Sequence, residues 1–257
     1  MTAFYWMQFY VDPSAVPMDD VVKGATDALV SVGAKFRDTT KHKAIDESVP
    51  TIQSRWSHTV GTPSFSEAIG EATRDLKGRP VGSRAQFETY DLGFEMPFEF
   101  DQEVIQMLRA HPEVRDENVA RKTKLDFILD SDPALKEKIV VDFRAWDEYV
   151  HMYGNPATHH RNKKLILMLA EALYTRIHPF YGWADDETNS SDMSYDSLLA
   201  GKPPVENEFT FAGPTLRGKI GMAVDLGAGI ETKSLTDGGL ILHNYGRYPN
   251  EQPRFFE

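Results

Sequence analysis

Residues Ala3 to Val11 constrain this chain more than any other stretch, because both of their alternating faces are apolar. On an extended backbone Phe4, Trp6 and Tyr10 fall on one side, and Tyr5, Met7, Phe9 and Val11 on the other. A strand of that kind belongs inside a sheet with material on both sides, since a face left in water would forfeit its burial. Asp12-Pro13 ends it. Asp19 and Asp20 then stand where the first turn of a helix favours negative charge, and Val22, Ala25, Leu29 and Val32 follow at helical spacing until Gly33. The chain opens as strand then helix.

Residues 37–63 are polar and rich in turn formers, and read as a long connection holding one short strand at most. Phe65, Ile69, Ala72 and Leu76 form the stripe of a helix capped by Ser64 or Ser66 and stopped at Gly78-Arg79-Pro80. From Phe94 to Asp101 large apolar residues alternate with acids and Pro97, the clearest strand signal, which the proline assigns to a sheet edge or bulge. Val104, Ile105 and Leu108 carry a short helix. Thr123–Leu129 and Lys138–Ala145 pattern as two strands joined through Asp130-Ser131-Asp132-Pro133, which suits an antiparallel hairpin. Arg161–Ile177 has the widest apolar stripe, built on Leu165, Leu169, Ala172 and Leu173, and implies a buried central helix ended by His178-Pro179. After Phe209 the chain is rich in glycine and β-formers, with Gly238-Gly239 opening the strand Leu240–Leu242.

The expected fold is therefore α+β, with a mainly antiparallel or mixed sheet, packed helices and a β-rich C-terminal extension. It is read as one domain over residues 1–257, divisible into a core at 1–184, an acidic loop at 185–208 and the extension at 209–257. At 257 residues the chain is long enough to bury about 73% of the surface its unfolded form exposes. The absence of cysteine excludes disulfide scaffolds, thiol catalysis and cysteine-ligated metals. Twenty-eight basic against 39 acidic residues leave a net charge of −11, which opposes nucleic-acid phosphates and anionic lipid and favours a basic partner. The first ten residues lack the pattern of a secretory signal, and no apolar run approaches the ~20 residues of a membrane span. A cytoplasmic location is expected.

Charge is also distributed unevenly. Asp185, Asp186, Glu187, Asp192, Asp196, Glu206 and Glu208 share one short segment with a single base, Lys202. His159, His160, Arg161, Lys163 and Lys164 crowd the start of the long helix, where its dipole disfavours cations. The acidic segment is expected to face positive charge on another molecule, unless it folds back on Arg161, Lys163 and Lys164. Tyr181, Trp183 and Tyr195 lie in or beside it, as aromatic anchors rimmed by charge do at protein interfaces, although aromatics tacking a loop to the core give the same pattern. The candidate binding set is Tyr181, Trp183, Asp185, Asp186, Glu187, Asp192, Tyr195 and Asp196.

An enzymatic alternative centres on Asp147, Glu148, His151, His159 and His160, acting as a carboxylate and histidine hydrolase with or without a divalent metal. The histidines lack the i, i+3 or i+4 spacing that converges two imidazoles on one helix face, so no metal ligands are assigned. Val224-Asp225-Leu226-Gly227-Ala228-Gly229 is similar to the glycine-rich loop of S-adenosylmethionine-dependent methyltransferases, but the third glycine is missing and too few residues follow for the rest of a doubly wound sheet. A glycine turn between strands is the simpler reading, and no cofactor is implied.

From Leu173 to Glu187 an apolar helix leads through His178-Pro179-Phe180-Tyr181-Gly182-Trp183 into acids, with Asp237-Gly238-Gly239-Leu240 opening a later strand. This pattern resembles that of bacterial immunity proteins of polymorphic toxin systems. The resemblance implies an α+β protein without catalysis that binds and blocks a cognate toxin, and it transfers no catalytic residue. The leading expectation is a non-enzymatic, immunity-type protein that covers a basic, toxin-like partner.

Overall fold

A computed structural model describes residues 4–43, 88–110, 122–132, 136–146, 155–186, 207–220, 229–245 and 255–256. The order of elements is β1 (Phe4–Val11), α1 (Met18–Ser31), β2 (Lys35–Lys43), β3 (Glu88–Glu95), α2 (Gln102–Ala110), β4 (Lys122–Asp132), β5 (Lys136–Trp146), α3 (Pro156–Ile177), β6 (Tyr181–Asp186), β7 (Phe209–Ala212), α4 (Pro214–Ile220), β8 (Ile230–Ser234) and β9 (Leu240–Asn244). The strands form one sheet in the order β2-β3-β4-β5-β1-β6-β7-β9-β8. Every neighbouring pair is antiparallel. The fold is α+β with an antiparallel sheet, as its patterning implies.

β1 takes the inner place that its two apolar faces demand, with β5 on one side and β6 on the other. Both neighbours run against β1 and so run parallel to each other, and α3 links them across it. One face of the sheet buries Tyr5, Met7, Phe9 and Val11 with Leu125, Phe143, Phe209, Phe211 and the apolar stripes of α1 and α3. The two helices approach closely at Gly24, where a Cβ would lie 3.1 Å from the Arg176 carbonyl oxygen. The other face carries a smaller cluster of Tyr10, Val140, Tyr181, Trp183, Ala212, Leu216 and Leu242, with Trp6 against it. Leu216 belongs to α4, a helix that the β-rich reading of residues 209–257 did not anticipate. Among the described residues no helix is long and apolar enough to cross a membrane.

Two further expectations change. The polar stretch from residue 37 continues an edge strand of nine residues, Lys35–Lys43, because pairing with β3 satisfies a backbone that has few apolar side chains to bury. The alternating segment 94–101 keeps its alternation, with Met96 and Phe98 buried and Pro97 and Glu99 exposed, but leaves the ladder after Glu95. Asn162 of α3 replaces a strand partner there: its Oδ1 accepts the Glu99 N–H at 2.9 Å and its Nδ2 donates to the Glu99 carbonyl at 2.9 Å. The helix expected at residues 65–76 and the loop at 224–228 lie outside the described residues.

Candidate functional site

The start of α3 is fixed by a polar cap. Asn155 Oδ1 accepts the Thr158 N–H at 2.9 Å and Pro156 occupies the first turn, where a missing N–H costs nothing. Asp101 holds the cap in place, since its Oδ2 accepts from the Asn155 backbone at 2.9 Å and from Asn155 Nδ2 at 3.1 Å, while Oδ1 accepts the Val104 N–H that begins α2. These backbone donors, Val104 first, hold the Asp101 carboxyl below the usual carboxylate range, and the charge of His159 lowers it further. His159 and His160 therefore emerge from the first turn of α3 toward different neighbours: His159 lies in the field of Asp101, and the His160 ring stacks on Phe255 with centroids 4.8 Å apart. Asp147, Glu148 and His151 lie outside the described residues. Among those described, no three His, Cys, Asp or Glu side chains are grouped to hold a metal ion.

Two of the cations that crowd this helix end, Arg161 and Lys163, find partners inside the chain. Arg161 Nε donates to Glu99 Oε2 at 2.5 Å on the surface. Lys163 turns inward and donates to Glu208 Oε1 at 2.8 Å, with both side chains almost fully buried (4% and 2% exposed). Tyr5 of β1 donates its hydroxyl to the other oxygen, Glu208 Oε2, at 2.9 Å. The backbone of Glu208 is held in turn, because its N–H donates to Asp185 Oδ2 at 3.1 Å and its carbonyl accepts the Asn244 N–H at 2.8 Å. Asp185 Oδ1 accepts the N–H of Asp186. The result is a buried polar neck that ties the end of β6 to the start of β7, beneath the N-terminal half of α3.

This geometry corrects part of the expected binding set. Tyr181, Trp183 and Asp185 are buried, since β6 is an inner strand paired with both β1 and β7 and not the opening of a loop. Tyr181 stacks on Tyr10, and Trp183 meets Trp6 edge-on with centroids 5.8 Å apart, so these aromatics pack the sheet. Asp186 is half-buried at the end of β6. Glu208, counted among the acids facing outward, instead folds back on Lys163 as the helix-dipole mismatch allows. Glu187, Asp192, Tyr195 and Asp196 lie outside the described residues, in the connection 187–206, which carries four acids and one lysine.

Across the other face of β5, β1 and β6 the register forms two rows, Arg144–Trp6–Asp185 and Asp142–Gln8–Trp183, with the β1 residue in the middle of each. Asp142 is fully buried and accepts from Trp6 Nε1, from Gln8 Nε2 at 3.2 Å and from Arg144 at 3.0 Å. Arg144 lies over the Trp6 ring at 4.6 Å and Lys138 over the Tyr10 ring at 4.7 Å. An acid in the middle of the apolar run Ile139-Val140-Val141-Asp142-Phe143 was the sequence signal for this network, because a carboxylate there must find donors. Nothing comparable marked Lys163 or Glu208, which read as members of surface charge runs.

No family model matches the chain, and no curated protein matches it. Three chains of solved structures do match. One is the Pseudomonas aeruginosa T6SS protein PA0821, at 11% identity and a TM-score of 0.43, over 98% of this chain and 70% of that one.

Proposed function

We propose that the chain is a cytoplasmic, non-catalytic binding protein of the immunity type, and that its partner is a basic, toxin-like protein met by the acidic connection 187–206. One observation carries this reading. Arg161 and Lys163, two of the three cations at the start of α3 on which the acidic segment could fold back, are paired with Glu99 and Glu208. The acids Glu187, Asp192, Asp196 and Glu206 of the connection are the ones this reading assigns to the partner. A chain of net charge −11 attracts a basic protein at long range, and clustered acids beside a fixed neck raise the rate of productive encounter.

The test begins with capture on the full chain from a lysate of the native host, where a stoichiometric basic protein is expected. Glu187→Gln, Asp192→Asn and Asp196→Asn together should then slow association with that protein about tenfold at low salt and flatten its salt dependence, with a smaller effect on dissociation. An unchanged rate and salt slope would remove the connection from the interface. Capture of no basic protein would remove the reading itself.

A further inference from the structure

At the β8 edge of the sheet four elements converge on a short segment that belongs to neither strand nor helix. His243 of β9 stacks on Phe209 of β7 with centroids 4.5 Å apart, and its Nδ1 lies 2.6 Å from Oε1 of Glu231 in β8. The same carboxylate oxygen accepts the backbone N–H of Phe255 at 2.8 Å. The Phe255 ring lies parallel to His160 of α3, at 8° and 4.8 Å, and edge-on to His243 at 5.1 Å and to Phe209 at 5.9 Å. Phe256 meets His243 at 6.1 Å, and Lys233 Nζ lies 5.8 Å from its ring centroid. Lys233 is itself held by Glu171 of α3 at 2.6 Å.

This is a built groove, and its chemistry is that of peptide recognition. Glu231 engages the occupant through a backbone N–H, which any extended peptide offers, while the rings of His160, Phe209 and His243 select an aromatic side chain. Two of these rings belong to the packed sheet: His243 is buried at 3% exposure, and Phe209 is part of the main core. Phe255 and Phe256 pack against these walls half-buried and, among the described residues, are held by the Phe255 N–H and by ring contacts outside any strand or helix. A segment outside strand and helix opens at lower cost than the sheet beneath it.

We infer that this groove is a peptide-binding site for two consecutive aromatic residues on an extended backbone, and that Phe255–Phe256 fills it in cis as an intramolecular competitor. A tethered occupant acts at an effective concentration on the order of millimolar, so a free peptide of ~10–100 µM intrinsic Kd would bind the unaltered chain about ten- to a hundredfold more weakly than a vacated one.

The full chain carrying Phe255→Ala and Phe256→Ala vacates the groove, and a fluorescent peptide of residues 250–257 is the probe. The variant should bind the probe at least tenfold more tightly than the unaltered chain, and a probe with both phenylalanines replaced by alanine should not bind. A folded variant that ignores the probe, or takes both probes equally, overturns the proposal. So does a variant that fails to fold, since the segment would then be part of the core. Amide exchange on the unaltered chain gives an independent reading: the Phe255 N–H should exchange while those of β9 stay protected, and exchange only together with β9 overturns the proposal. A dimer of the unaltered chain that is lost in the variant would assign the occupant to a second copy and overturn the cis arrangement.

Discussion

Removing one member of the buried Lys163–Glu208 pair is the sharpest perturbation the structure offers. Lys163 and Glu208 are 4% and 2% exposed, so Lys163→Met removes the counter-charge of a carboxylate held in the core, leaving it the Tyr5 hydroxyl at 2.9 Å as a neutral donor. Breaking a buried pair from one side costs about 3–5 kcal/mol. For a chain of this length each kcal/mol lowers Tm by ~2–4 °C, which places the fall between about 6 and 20 °C. Glu208→Gln keeps an acceptor for Tyr5 but strands the ammonium, and should cost a similar amount. The double variant removes both charges of the pair and keeps the Tyr5 bond, so it should be more stable than the sum of the singles requires by at least about 2 kcal/mol. Urea unfolding of the four proteins, with m-values compared to check two-state behaviour, measures the cycle. Single costs below about 1 kcal/mol, or additive costs, would refute the claim that this pair is desolvated and coupled.

Three further outcomes are expected. Asp101 has its carboxyl held low by backbone donors, so it contributes stability above the carboxylate range that is lost as pH falls through its folded-state pKa. Asp101→Asn should melt lower than the unaltered chain at pH 7, and the gap should close as pH falls through the lowered folded-state pKa of Asp101; a constant gap would contradict this. Burial, and then Asp237, raise the Tyr174 hydroxyl pKa, so stability is full below the unfolded-state value of about 10 and declines as pH rises from there toward the folded-state value. Tyr174→Phe should cost about 1 kcal/mol at pH 7 through the lost bond to Asp237 and flatten the alkaline decline, as thermal melts between about pH 8 and 11 would report. Gly182→Ala would drive a Cβ into the Phe9 ring between β1 and β7, and should destabilise by about 1–3 kcal/mol in denaturant titration, with relief when Phe9→Leu is added.

Much of the fold was legible because hydrophobic periodicity reports directly on burial. The double-faced pattern of Phe4–Val11 located the inner strand, Thr123–Leu129 and Lys138–Ala145 located a hairpin, and the broad stripe after Arg161 located the helix that crosses β1. That helix's start was misplaced, because residues 156–160 carry little apolar signal and the mark there is the Asn155-Pro156 cap. The candidate site was far less legible. Asp185, Tyr181 and Trp183 carry the composition of an interface and serve instead inside the sheet, since an aromatic or an acid has the same letter whichever way it faces.

What the sequence determined by itself was local: which segments extend, which coil, which face of each is apolar, and a net charge that repels polyanions. Those properties follow from residue spacing and charge, which need no knowledge of neighbours. What only the tertiary structure decided was pairing at long range. Lys163 and Glu208 are 45 positions apart, Tyr5 and Glu208 203 apart, and Phe255 reaches Glu231 and His160 across four elements. A charge changes from a surface ornament to a core member when a particular counter-charge arrives within 3 Å. That arrival is fixed by the order of strands in the sheet, which no local pattern encodes.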